Sequence, residues 1–472
     1  MKKLISALLI TALVLSSMLA LASCKKDSPS EEPFVLTEEN FWQATGEKGE
    51  SQKAQEMSLS LKMVMYVSGS KFEITSNGHM IEDLRDANDP YHFTKTTVRT
   101  TCNSLSVDET SVTIEAYNDG KFFKYSETGD IKNALYSEEA YSDFLDYNTD
   151  NASVDEDPDV TNCVNKAFIS NEDGTYTFKT SGYTKKTISV FEKLLSFDEL
   201  GLDSEITDAE LEVTADSQAN IKSGKINFVF DEKGSETPSL TLEFTAKSPD
   251  EITRVTDDID PSKYTKTDNL LLIYGIETML NKNVNSDEGS FTYTSVQSAR
   301  VGTSTSKSTE VDTVKFSTKD GKYTYTIDVD YDGEVFTVTY ENGSQSVISG
   351  KDVSSEPQTE EEARQLIKTY ASGIYYYPDR ISEVKKTSDG VYELTVSNPE
   401  KSDFESLYAG MGGKLTECKQ VITVTVKDGK LIEIKSSFVT SGAVTSNTPS
   451  PYMITYLIDM TLNFEEATTP EA

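Results

Sequence analysis

The sequence predicts an α+β protein, mostly antiparallel β, built as two tandem curved sheets (half-barrels) with amphipathic helices packed on the concave face. Three observations point there. Strand-like segments follow one another through Asp-Gly and Asn-Gly turns, which favours antiparallel pairing of sequence neighbours. The helical stretches are few, and each carries one apolar face. The order of elements then starts again midway. Ile169-Ser170-Asn171-Glu172-Asp173-Gly174-Thr175-Tyr176-Thr177-Phe178 is answered by Ile381-Ser382-Glu383-Val384 and Ser388-Asp389-Gly390-Val391-Tyr392-Glu393-Leu394, each reading strand, turn, strand.

Taken in order, Thr37 caps a helix over about 38–54, with acidic residues in its first turn. Met57–Met65 alternates as a strand, followed by strand-like Lys71–Thr75, His92–Thr101, Ser111–Ala116 and Lys121–Tyr125, the last two joined through Asn118-Asp119-Gly120. Residues 137–168 read as helix in two parts. Ala140, Tyr141, Phe144 and Leu145 share one face; after the acidic run Asp155–Asp159, so do Val160, Cys163, Val164, Ala167 and Phe168. A short helix near Val190-Phe191 and Leu194-Leu195 precedes strands Glu210–Ala215, Lys222–Phe230 and Ser239–Ala246.

In the second half, helix Asp268–Lys282 leads to strands Ser290–Ser298, Asp312–Thr318, Lys322–Asp330 and Glu334–Glu341, with turns at Asp320-Gly321, Asp332-Gly333 and Asn342-Gly343. Thr359 with Glu362 forms a capping box for a helix over 359–377, which Pro378 ends. Asn398-Pro399 opens another helix, and strands Gln420–Lys427, Lys430–Phe438 and Tyr452–Phe464 close the chain. Matched pairs lie at similar separations: Gly120 and Gly333 are 213 residues apart, Ile169 and Ile381 are 212, Gly174 and Gly390 are 216, Leu211 and Ile422 are 211, Leu242 and Leu462 are 220. The reading is a duplication with loop insertions in both copies.

The N-terminus carries an address. Lys2 and Lys3 precede the apolar run Leu4–Leu21, which ends in Leu21-Ala22-Ser23-Cys24. This is the form of a secretory signal, and the Cys after small residues resembles the lipobox of bacterial lipoproteins. The resemblance implies acylation of Cys24, a lipid anchor in the bacterial cell membrane and an extracytoplasmic body. The alternatives are an ordinary signal peptide or an uncleaved anchor. The expected division is signal 1–23, tether 24–36, first repeat 37–247, linker 248–266 and second repeat 267–466.

Within each repeat, the order of an opening helix, turn-linked strands and further helices is similar to the LolA/LppX-like fold of extracytoplasmic lipoproteins, an incomplete antiparallel barrel with helices across its mouth. That resemblance implies that a lipid or other apolar ligand is held between sheet and helices. No functional residue of that group maps onto this chain, and this chain is doubled.

Composition excludes some partners. Removing Lys2 and Lys3 with the signal leaves 42 basic against 79 acidic residues, a net of −37. Such a surface repels phosphate backbones, so nucleic acid is no partner. Only His79 and His92 are present, which leaves a His-based triad or multi-His zinc site unsupported. Asp328-Val329-Asp330-Tyr331-Asp332-Gly333 opens like a calcium loop, but its twelfth position is Thr339 and its flanks read as strands. Cys102 and Cys163 could pair within the first repeat, or remain thiols. No cofactor and no enzymatic chemistry is implied. The candidate ligand-lining residues are Leu366, Ile367, Tyr370 and Ile374 on the 359–377 helix, with the cluster Tyr375–Tyr377; the competing reading is that they fill the core. The function expected is that of a lipid-anchored binding protein, or else a surface scaffold with filled cores.

Overall fold

The computed structural model describes residues 35–67, 69–129, 131–152, 159–194, 205–231, 237–371, 378–397, 405, 408–444 and 452–464. Cys24, Ile374, Tyr375–Tyr377 and the Asn398-Pro399 cap lie outside these residues. The chain is mostly antiparallel β with few helices. It divides into two compact units, Met1–Tyr264 and Thr265–Ala472.

In the first unit, helix α1 (Phe41–Ser51) precedes β1 (Ala54–Val67), β2 (Ser70–Asp83), β3 (Tyr91–Cys102), β4 (Val107–Asn118), β5 (Lys121–Thr128) and β6 (Ile131–Glu138). Then come α2 (Tyr141–Ala152), β7 (Cys163–Ser170), β8 (Tyr176–Tyr183), α3 (Lys185–Leu194), β9 (Ile206–Ala215), β10 (Ile221–Phe230) and β11 (Ser239–Lys247). The strands form one open sheet in the order β6-β5-β4-β3-β2-β1-β11-β10-β9-β8-β7.

The second unit opens with β12 (Thr265–Lys266) and α4 (Leu270–Val284), followed by β13 (Glu288–Val301), β14 (Ser304–Lys319), β15 (Lys322–Tyr331), β16 (Glu334–Glu341), β17 (Ser344–Ser349) and β18 (Asp352–Pro357). Helix α5 (Glu360–Ala371), β19 (Ile381–Ser388), β20 (Val391–Val396), β21 (Gly413–Lys427), β22 (Lys430–Val444) and β23 (Tyr452–Phe464) complete it. Its sheet runs β18-β17-β16-β15-β14-β13-β23-β22-β21-β20-β19, the first order with every number raised by twelve.

Local chemistry explains the long meanders. Asp119-Gly120, Asp320-Gly321, Asp332-Gly333, Asn342-Gly343 and Asp428-Gly429 each place two successive residues at positive φ, the geometry whose twist matches that of the flanking strands. On β1, Met57, Leu59, Leu61, Met63 and Met65 are buried and alternate with more exposed residues. They face a core that also takes in Phe41, Trp42, Phe178, Phe191, Phe228 and Phe244. Aromatics from three helices meet this one sheet face: Phe41 of α1 lies 5.3 Å from Phe178, Phe144 of α2 lies 5.1 Å from Tyr117, and Phe191 of α3 lies 5.6 Å from Phe228. It is called the inner face below.

Several sequence expectations are corrected. The apolar stripe from Val160 to Phe168 is not a second helix. Cys163–Ser170 is edge strand β7, paired with β8, and Val164 is 83% exposed. Five apolar residues at helical spacing coincided there with a segment whose ladder partner follows one turn later. Regular helix α1 starts at Phe41, and ahead of it Thr37 and Asn40 bond to each other's backbone N–H groups in the reciprocal pattern of a capping box. The meanders hold six strands each: β6, β17 and β18 are short and polar and escaped the apolar pattern. Gly120 and Gly333 are not matched turns, since Gly120 joins β4 to β5 and Gly333 joins β15 to β16.

The segment read as a linker is packed up to Tyr264. Ile259 is buried on the opposite sheet face among Ile81, Tyr91, Phe93, Ile114 and Phe123. The Tyr91 hydroxyl donates to the Val255 carbonyl at 2.7 Å and accepts from the Val255 N–H at 2.9 Å. Arg254 lies over the Tyr91 ring and reaches Asp83 at 3.1 Å and Asp89 at 2.6 Å. The side chain of Leu36, in the expected tether, is also buried in the inner core.

Candidate functional site

The inner faces supply the candidate sites. In the first unit, β1 and β2 close as a hairpin at Val67 and Ser70, and eight residues back Leu59 pairs with Gly78. Gly78 has no side chain, so the sheet surface dips there. The depression is bounded by Met57, Leu59, Met80, Thr94, Thr96 and the chain at Gly78-His79; it opens to solvent and holds about 270 Å³. Much of that volume is open solvent, and the enclosed part, about 20 Å³, is far smaller than the roughly 300–1,000 Å³ of typical ligand sites.

Two polar atoms near it lack partners. Ser76, two residues from Gly78 on the same face, is buried and its Oγ makes no hydrogen bond. His92 is partly exposed, but its Nδ1 is buried without a partner; its Nε2 lies 3.2 Å from Thr94 Oγ1. Burial pushes the His92 imidazole down to about 4, so it is neutral at physiological pH. Burying such groups without partners costs on the order of 1–3 kcal/mol each. An apolar floor with a few inward polar groups is the usual composition of a small-molecule site.

The second unit has the same register with different chemistry. Its first hairpin closes at Val301 and Ser304, and eight residues back Tyr293 pairs with Asp312. Asp312 therefore stands where Gly78 stands in the first unit. It is 1% exposed, and its Oδ1 has no hydrogen-bond partner among the described residues. Burial, and then the Glu310 carboxylate, push Asp312 up to about 6. Tyr370 of α5 is pushed up to about 12, first by burial and then by the charges of Asp312 and Glu310.

The sequence-predicted residues divide as follows. Ala363, Ile367 and Ala371 form the buried stripe of α5, so Ile367 is core. Leu366 and Tyr370 are half-buried. Thr359 and Glu362 form the expected capping box: Glu362 N–H donates to Thr359 Oγ1 at 3.2 Å, and Thr359 N–H donates to Glu362 Oε2 at 2.7 Å. Arg364 anchors the helix, lying 4.1 Å from the Tyr323 ring centroid and donating to Thr318. Asp312, Gly78, Ser76 and the inward side of His92 were missed. An acid at an apolar-parity position of β14 is the signal that could have found the first of them.

The remaining motifs have structural uses. Asp328 accepts from Thr337 and Asp330 from Gly333 N–H within the β15–β16 hairpin, and Asp332 accepts from Thr309 N–H on β14. Among the described residues no group of three or more His, Cys, Asp or Glu is placed to hold a metal. His79 and His92 point to opposite faces. His79 Nε2 and Lys247 Nζ lie 3.0 and 2.6 Å from buried Glu56. Burial pushes Glu56 up, but those two partners outweigh it and hold it below the ordinary carboxylate range. No disulfide joins Cys102, which is buried, and Cys163, which is partly exposed. No described helix is long and apolar enough to cross a membrane.

No family model matches the chain, and no curated protein does. Among solved structures it is similar to a DUF1329 family protein from Desulfovibrio piger, at 14% identity over 43% of this chain and 96% of that one, with a TM-score of 0.17. A protein provisionally assigned as AttH from Nitrosomonas europaea matches at 8% identity over 94% and 98%, TM-score 0.14. Kievitone hydratase from Nectria haematococca matches at 8% over 86% and 88%, TM-score 0.13. TM-scores this low carry no argument about fold or function.

Proposed function

We propose that this chain is a lipid-anchored, extracytoplasmic, non-enzymatic binding protein, made of two half-barrel repeats that each offer an inner-face site for an apolar or lipid-like ligand. Cys24 carries the anchor. The duplication reading is supported by the repeated strand order and by the matching hairpin registers.

The observation that carries the binding reading is the depression over Gly78, with its methionine and leucine walls and the orphaned Ser76 Oγ and His92 Nδ1 beside it. Methionine side chains adapt to irregular ligands. The enclosed space, about 20 Å³, is too small for an acyl chain, so binding requires the depression to widen. Titration with an acyl-chain fluorescent probe tests this. Saturable binding that Gly78→Leu weakens at least tenfold supports the site; binding unchanged by Gly78→Leu moves it elsewhere.

A second reading, a cell-surface scaffold with filled cores, is favoured by one feature. Val335, Val347, Ile348 and Val353 on β16–β18 are exposed apolar residues near one sheet edge. Absence of any saturable probe binding favours that reading.

A further inference from the structure

The two inner faces differ at several register positions, and one difference sets ligand chemistry. Where the first unit has Gly78, the second has Asp312, buried and with Oδ1 unpartnered. Glu310 lies two residues along on the same face, opposite buried Ser295. Tyr293 pairs with Asp312 across the ladder, and half-buried Tyr370 of α5 feels the charges of both carboxylates. Two carboxylates thus share one sheet face with Tyr293. Arg364 of α5 is occupied by Glu360, Thr318 and the Tyr323 ring.

Buried carboxylates are paired in stable proteins, because an uncompensated charge in an apolar setting is costly. Asp312 Oδ1 has no hydrogen-bond partner among the described residues to relieve it. A divalent metal fits poorly, since no third carboxylate, His or Cys joins the pair among the described residues, and such ions want six or more oxygens. A protonated amine fits on three counts. It donates to Oδ1, it neutralises the pair, and an ammonium is favoured beside aromatic rings. Resting on the reading of the inner face as a ligand site, we infer that the second unit selects an amphiphile with a protonated amine head on an apolar body, and that Asp312 is its specificity-determining residue. The first unit, with no carboxylate lining its depression, takes the apolar body without regard to an amine.

The test is calorimetric titration of the full mature chain with dodecylamine and with dodecanol, each below its aggregation concentration. Wild-type protein is expected to bind the amine at least tenfold more tightly than the alcohol at one of its sites. Asp312→Asn, which keeps the side-chain shape, is expected to abolish that preference and leave dodecanol binding in place. Gly78→Leu is expected to leave the preference intact. Equal affinity for amine and alcohol in the wild type, or a preference that survives Asp312→Asn, overturns the assignment while dodecanol binding still upholds the broader reading. Binding of neither compound overturns both.

Discussion

Replacing Asp312 with Asn is expected to stabilise the unliganded second unit at neutral pH and to do nothing at pH 4. A carboxyl moved from its ordinary 3.8 to about 6 holds its proton more tightly in the folded than in the unfolded chain. Its favourable contribution is therefore fully present below about pH 4 and is lost as pH rises through about 6. Above that, ionised Asp312 costs the folded state roughly 3 kcal/mol, from about 1.4 kcal/mol per pH unit of displacement. Asn has the same shape and cannot ionise, so Asp312→Asn recovers most of this cost. For a unit of this size that corresponds to a rise of about 6–12 °C in its melting transition at pH 7.5. Differential scanning calorimetry at pH 7.5 and pH 4 checks it. A variant that melts lower than wild type at pH 7.5, or is shifted equally at both pH values, would show that Asp312 is paired and the reasoning wrong.

Three further outcomes are expected. The first unit should respond to acid in the opposite sense, because neutral His92, pushed down to about 4, contributes stability that is present above about pH 6.5 and lost as pH falls toward 4; the loss is roughly 1–3 kcal/mol, and His92→Gln should remove that pH dependence in the same calorimetric scans. Gly120→Ala, at a φ of 68° with nothing within 4 Å, should cost only about 1 kcal/mol of backbone strain. Gly224→Ala puts a Cβ 2.3 Å from the Phe244 ring and should cost more, about 1–3 kcal/mol; equal denaturation midpoints for the two variants would contradict this. Phe41→Ala removes a fully buried ring packed on Trp42 and Phe178 and should lose about 3–5 kcal/mol in chemical denaturation of the first unit.

Much of the architecture was legible because two signals were strong. Asp-Gly and Asn-Gly turns fixed where strands reverse, and the alternation Met57 to Met65 fixed which face is buried. The errors came where those signals were weak. Strands β17 and β18 consist of Ser344–Ser349 and Asp352–Pro357, which carry little apolar pattern and hold their place through ladder bonds to β16 and each other. The Val160–Phe168 stripe fitted a helix because a few apolar residues satisfy either period. Turn dipeptides look alike, so Gly120 was matched to Gly333 one hairpin out of place. The site was less legible still. Tyr370 could be placed on the correct helix by periodicity, but Gly78 and Asp312 draw their meaning from cross-strand register, which strand composition does not reveal.

The central claim is that the inner faces hold an apolar ligand. Mass spectrometry of organic extracts from protein purified under native conditions tests it most directly, comparing wild type with a Gly78→Leu, Asp312→Asn double variant. The expected result is one amphiphile class recovered in near-stoichiometric amount from the wild type and depleted in the variant. Wild-type protein that repeatedly yields no co-purified amphiphile, together with no saturable binding of the acyl-chain probe, would contradict the claim.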